Sequence, residues 1–321
     1  MVPVKRRKFM AKAFSGSALL GGWAALPAAA ARGPAQERPE EVFIERAAQG
    51  KPHAGKVLAL VTPHLDDGPG LACGTVVKLL QEGYTGYFIR TSNDEKDSYD
   101  LTLGETVAAN ERDTKEFVKA CGLEKWFDLG YRNHRLDDVA RAEMRVRLIF
   151  LFRLLKVDTV ITFDPWGHYE ENPDHYVTGQ AVEAACWMSG LHLDMPEHFA
   201  VGLKPHYVRE RYYFARGPQL VNRVVDIGPT LETKIACLRA CRTMVLHTIK
   251  DHNLLLAGQG QSVPISAADE SAVIDKYTKA ALERQARSLG EKYGLEYAEA
   301  FHYIGPGEWL EEDLLPPGMP L

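Results

Sequence analysis

A histidine and two adjacent aspartates stand close together in the run Thr62-Pro63-His64-Leu65-Asp66-Asp67. In a turn, the spacing of His64 and Asp67 lets an imidazole nitrogen and a carboxylate oxygen converge on one cation, while Asp66 between them points elsewhere. Two ligands hold a divalent ion poorly, so a third must come from a distant part of the chain. The best candidate is His175, in the run Asn172-Pro173-Asp174-His175. Two imidazoles and one carboxylate, with one position left open, are what a catalytic zinc needs. Such an ion lowers the pKa of its water to about 7. A carboxylate that does not bind the metal can then take the water's proton, and Asp66 is placed for that. A plainer reading stands beside this one. Asp66 and Asp67 also suit a helix N-terminus, where acidic side chains cap backbone N–H groups, and a lone His175 suits a structural role.

The elements around these residues decide whether they can meet. The apolar run 57–61 reads as a buried strand, followed by a helix over 71–82 that ends at Gly83. A second strand over 84–91 leads to a polar loop, 92–103, that holds Asn93, Asp94, Glu95 and Asp97. A helix over 105–121 closes on Gly122, as glycine C-caps do. A strand over 125–129, a loop with His134 and an amphipathic helix over 140–155 come next. The strand 158–163 runs into a loop holding His168, and 176–188 is helical. This alternation predicts an α/β fold, a mostly parallel sheet with helices on both faces. Both polar clusters then follow the C-terminal ends of strands, where ligands bind in such sheets. Beyond residue 190 the pattern changes. Strands over 206–214 and 220–227 read as an antiparallel pair, helices follow over 230–249 and 268–293, and a last strand spans 297–304. These complete the same domain. His134 and His168 lie in loops that can face the cleft, though each alone reads as a surface residue.

The chain has 321 residues, 45% hydrophobic and 25% charged, an ordinary globular composition. A net charge of -5 argues against a nucleic-acid-binding surface. The glycines after the first strand do not form the dinucleotide-binding fingerprint, and two acids there would repel a pyrophosphate. The five cysteines (Cys73, Cys121, Cys186, Cys237, Cys241) fall in helices and read as small buried residues rather than a disulfide framework. The N-terminus carries Lys5-Arg6-Arg7-Lys8-Phe9-Met10, a modest Gly-containing apolar stretch, Pro27 and the run Ala28-Ala29-Ala30-Ala31. Residues 1–31 read as a twin-arginine (Tat) signal peptide. The Tat export machinery would then be a partner and the periplasm, or another exported location, the destination. Residues 32–55 read as a linker with room for one short helix, 56–304 as the folded domain and 305–321 as a tail. A homo-oligomer is compatible with the sequence.

Taken together, Pro63-His64-Leu65-Asp66-Asp67, Cys73-Gly74-Thr75, Asp164-Pro165 and Asn172-Pro173-Asp174-His175 resemble the PIG-L/LmbE-like deacetylase family. Tyr297-Ala298-Glu299-Ala300-Phe301 resembles a C-terminal segment of it, so the resemblance covers about residues 56–304. It implies a Rossmann-like fold and zinc-dependent removal of acetyl groups from N-acetylglucosamine-type substrates and related amides. By that resemblance His64, Asp67 and His175 bind the metal, Asp66 is the general base, and Asp174 orients the base or a ligand. Another divalent metal, iron or cobalt, suits the same ligands. There are departures. The family's usual Glu after the two aspartates is Gly68 here, and its Pro is Leu65. A His common three residues before His175, thought to stabilise the tetrahedral oxyanion, is Asn172. An amide can donate a hydrogen bond to an oxyanion but is no proton donor. The family's frequent substrate-binding Arg falls on Asn110, with Arg112 nearby, and His168 is assigned to the substrate end as a stand-in acid. These departures leave a second expectation, a non-catalytic carbohydrate- or metal-binding protein that kept the fold.

Overall fold

The computed structural model describes residues 42–167, 169–261 and 269–306. In chain order the elements are β1 (Phe43–Glu45), β2 (Val57–Thr62), α1 (Asp67–Leu71), α2 (Cys73–Gln81), β3 (Thr85–Ser92), α3 (Leu103–Cys121) and β4 (Lys125–Tyr131). Then come α4 (Arg141–Leu155), β5 (Thr159–Phe163), α5 (Pro173–Met188), α6 (Pro196–Ala200), β6 (Glu210–Phe214) and β7 (Arg223–Asp226). The last are α7 (Leu231–Ala240), α8 (Arg242–Ala257), α9 (Glu270–Glu291) and β8 (Ala298–Ile304). One sheet carries all the strands in the order β1-β7-β8-β6-β5-β2-β3-β4. The run from β6 to β4 is parallel throughout.

The apolar runs become central strands because both of their faces are covered. Along β2 the pleat sends Leu58 and Leu60 into one core and Ala59 and Val61 into the other. The first core lies under α2, α3 and α7–α9, the second under α4 and α5. From β2 the chain moves outward to β3 and β4, then returns to place β5 on the other side of β2. The crevice between β2 and β5 is therefore the topological switch point of the sheet, the usual place for a ligand. The loops after β2, β3, β4 and β5 all leave from the same edge.

The predicted pairing of 206–214 with 220–227 is not what forms. β6 and β7 do not touch as neighbours; β8, the last strand, enters between them and runs antiparallel to both. Asn222 fastens it, since its Nδ2 donates to Tyr303 O (2.9 Å) and its Oδ1 accepts from Tyr303 N (2.7 Å). Within the stretch read as a linker, Phe43–Glu45 is an edge strand parallel to β7. Glu45 anchors it by accepting from Lys78 Nζ (2.8 Å) and Arg223 Nη1 (2.8 Å). The single helix expected over 230–249 is broken at Cys241 into α7 and α8. The expected signal peptide, most of the tail and His168 lie outside the described residues.

Candidate metal centre

His64 leaves β2 two residues after its end, and Asp67 opens α1. Their backbone is tied into a tight turn, with Asp67 Oδ2 accepting from His64 N at 2.9 Å. His175 sits in the first turn of α5, which starts earlier than its apolar pattern because Pro173 begins it and Asn172 caps it. The His175 ring stacks on Phe163 at the end of β5, with centroids 4.0 Å apart and planes 15° apart. The two clusters meet. His64 Nδ1 lies 3.2 Å from His175 Nε2 and 3.2 Å from Asp67 Oδ2, and His175 Nε2 lies 3.3 Å from Asp67 Oδ1.

Those separations fit a metal. Donors at tetrahedral corners, with bonds of about 2.0–2.1 Å, stand about 3.3 Å apart. The three side chains are almost fully buried, so the cation would be well shielded from bulk water. Outer carboxylates hold both imidazoles. Asp174 Oδ2 lies 3.3 Å from His64 Nε2. Glu170 Oε1 lies 3.0 Å from His175 Nδ1, an ion-pair contact rather than an aligned hydrogen bond. Such outer partners orient metal-binding histidines.

The electrostatics follow from burial against neighbours. Burial works against a charge on His64, yet Asp67 and Asp174 outweigh it and hold the imidazole well above its usual pKa. Burial raises Asp67, but His175 and His64 bring it below the carboxylate range. Asp174 ends low too. Burial raises it, and the bonds from His64, Leu136 N (3.1 Å) and His134 N (2.6 Å) more than offset that. Asp66 differs. It takes the N-cap position of α1 but makes no capping bond, and no hydrogen bond reaches its carboxylate among the described residues. The helix-cap reading of this aspartate is therefore not realised. Burial, Asp67 and Asp97 push its carboxyl up to about 8; a cation among the three donors acts in the opposite sense.

The other expected site residues are placed less simply. Asn172 Oδ1 accepts from Asp174 N at 3.0 Å, so the side chain is a helix cap first, and only its Nδ2 is left to donate. Asn110 departs from a substrate contact. It is fully buried, with Nδ2 donating to Asp94 O at 3.0 Å, and so supports the loop after β3. Arg112 is exposed on α3 and takes no part in the cluster. At Gly68, where the family's usual residue is Glu, an added Cβ would stand 2.6 Å from Leu60 Cδ2.

Sequence reasoning gave no role to Asp97, Glu170 or the backbone of His134. Asp97 Oδ2 accepts from Asn133 Nδ2 at 2.7 Å, and burial with nearby Asp94 and Asp67 pushes its carboxyl up to about 7 against the opposing effect of His64. Asp94 is spoken for by Arg90 Nη1 (2.7 Å) and Ser92 Oγ (2.8 Å). These residues sit in polar loops whose sequence looks like ordinary surface; only their spacing from strand ends hinted at them.

Comparison with known proteins agrees with the motifs. Residues 59–186 match the family model "PIG-L: GlcNAc-PI de-N-acetylase". That stretch includes His64, Asp66, Asp67 and His175. A diacetylchitobiose deacetylase of Thermococcus kodakarensis is 27% identical over 191 residues, 59% of this chain and 68% of that protein. The structure of the N,N'-diacetylchitobiose deacetylase of Pyrococcus horikoshii superimposes with a TM-score of 0.64 at 24% identity, covering 81% of this chain and 89% of that one. The 4-carboxy-2-hydroxymuconate hydratase GalB of Pseudomonas putida shares the fold with a TM-score of 0.56 at 16% identity, covering 78% and 97%.

Proposed function

We propose that this protein is a metal-dependent hydrolase that removes an N-acyl group, acetyl foremost, from an amino sugar. One observation carries the reading: His64, Asp67 and His175 converge at 3.2–3.3 Å beside an unpaired Asp66. The fold alone does not decide the chemistry, since a hydratase shares it. The diacetylchitobiose deacetylase relative supports an acetylated amino sugar as the substrate class.

His64, Asp67 and His175 would hold the cation, and a bound zinc would supply Lewis-acid polarisation of an acyl carbonyl and a more acidic water. Asp66 takes the water's proton and returns it to the leaving amine. It can do so because no hydrogen bond engages its carboxylate oxygens among the described residues. Asp174 fixes the His64 ring through Nε2, and Glu170 backs His175. Asn172 Nδ2, with Oδ1 tied down as a cap, is aimed by that tie and can donate to the developing oxyanion.

Acetate release from a panel of N-acetylated sugars tests this, with and without added zinc and with a chelator. The expected result is zinc-dependent release that the chelator stops. Zinc-loaded protein that binds the sugars but never releases acetate would support the non-catalytic reading, which Asn172 motivates. Export is a further part of the proposal, supported by Lys5-Arg6-Arg7 and the alanine run ending at Ala31. Among the described residues no helix is long and apolar enough to cross a membrane. A reporter fused to residues 1–31 should leave the cytoplasm, and Arg6→Lys with Arg7→Lys should retain it.

A further inference from the structure

Beside the metal centre, one histidine is held in an unusual conformation that nothing in the scheme above requires. His134 has φ of 58°, in the left-handed region that L side chains seldom enter. The surrounding loop enforces it. Asp174 Oδ2 accepts from His134 N at 2.6 Å, and Asp174 Oδ1 accepts from Leu136 N at 3.1 Å. The residue before it is pinned three times: Asn133 N donates to Asn93 Oδ1 (3.2 Å), Asn133 Nδ2 to Asp97 Oδ2 (2.7 Å), and Lys96 Nζ to Asn133 O (2.7 Å). Strained conformations persist only where the surroundings over-determine them, and they cluster at functional sites.

This clamp presents one ring. The imidazole of His134 stands edge-on to that of His64, with centroids 5.9 Å apart and planes at 76°. It is exposed, and neither ring nitrogen has a hydrogen-bond partner among the described residues. The aspartate that clamps its backbone also holds His64 Nε2, so the ring and the metal centre share one anchor. Across the cleft, Asn172 has spent its side-chain oxygen on the cap of α5.

We propose that His134 is a substrate-contacting residue, its free ring nitrogen donating a hydrogen bond to the N-acyl group seated over the metal centre. The inference rests on the deacylase reading and adds a contact to it. The donor is pre-aimed, because the backbone that carries it is fixed before substrate arrives.

Glycine separates this role from a structural one, since it adopts a positive φ without cost. His134→Gly should keep its metal and unfold at the same or a higher temperature. Its kcat/KM for acetate release should nevertheless fall by about 100-fold, the usual effect of losing one aimed donor, mostly in kcat. His134→Asn, which tolerates the same backbone and keeps an N–H donor, should recover part of the loss. His134→Gly with kcat/KM within threefold of the wild type overturns the proposal, as does a loss of activity matched by a loss of metal. Calorimetric titration with N,N'-diacetylchitobiose separates this from failure of the deacylase reading. If zinc-loaded wild type releases no acetate but binds the sugar, that reading fails, and His134 stands only if His134→Gly weakens binding at least tenfold. Wild type that neither hydrolyses nor binds overturns both.

Discussion

Two buried polar clusters in this molecule use the same chemistry to opposite ends. Around Glu299 every valence is met. Its Oε1 accepts from Gly74 N (2.9 Å) and Lys234 Nζ (2.6 Å), and its Oε2 from Thr75 N (2.7 Å) and Thr75 Oγ1 (2.6 Å). At the mouth of β2 and β5 the groups converge without completing one another. Two imidazoles and a carboxylate crowd together at 3.2–3.3 Å, and the Asp66 carboxylate beside them accepts no hydrogen bond among the described residues. A fully paired buried network rigidifies a fold, whereas an incomplete one calls for a missing partner. The Glu299 cluster docks the last strand onto the start of α2. On the proposed reading, a cation and a substrate complete the strand-end cluster.

If that contrast is right, mutations should separate into stability effects at one cluster and binding or turnover effects at the other. The largest stability effect belongs to Glu299→Ala. It strands a buried Lys234 and two backbone donors, and should cost about 3–5 kcal/mol in chemical unfolding, with unchanged metal affinity in the protein that remains folded. A loss below about 1 kcal/mol would break the comparison. Asp174→Asn should weaken metal binding about 10–100-fold in a chelator competition, because His64 loses its outer carboxylate; one of the His134 N and Leu136 N donors also loses its acceptor, so a stability loss smaller than that of Glu299→Ala should accompany it. The smallest effect is at Asn172. Asn172→Ala should cost about 1 kcal/mol through the lost cap, and Asn172→Asp should keep the cap and the stability. A fall in turnover in Asn172→Asp then assigns the catalytic part to Nδ2 rather than to the helix start.

Much of this was readable in the chain. The apolar runs 57–61 and 158–163 could only be buried strands, and their parallel pairing brings His64, Asp67 and His175 to one edge. Chemistry that depends on strand ends is legible because strand ends are. The same reading missed where β8 goes. Alternation tells which face a residue takes, not which strand lies beside it, so 206–214 and 220–227 looked like a hairpin when a distant strand inserts between them. The motif Cys73-Gly74-Thr75 carried part of the family resemblance without a role assigned to it. It is where Glu299 docks, and a Cβ at Gly74 would meet Ile227 Cγ2 at 2.8 Å and Glu299 Oε1 at 3.0 Å. The placements of His134 and Asn110 were hidden for another reason. Both depend on loop backbone geometry, a positive φ in one case and a captured carbonyl of Asp94 in the other, and side-chain type does not encode either.

The assignment of separate tasks to adjacent aspartates is the centre of this account, and metal analysis paired with turnover tests it most directly. The wild type, Asp66→Asn and His64→Ala would be loaded with zinc, dialysed and assayed for bound metal and acetate release. The expected result is one metal per chain in the wild type and in Asp66→Asn, with turnover of the latter reduced by about 10²–10⁴-fold, and neither metal nor turnover in His64→Ala. Near-normal turnover in Asp66→Asn, or full metal retention in His64→Ala, would contradict it.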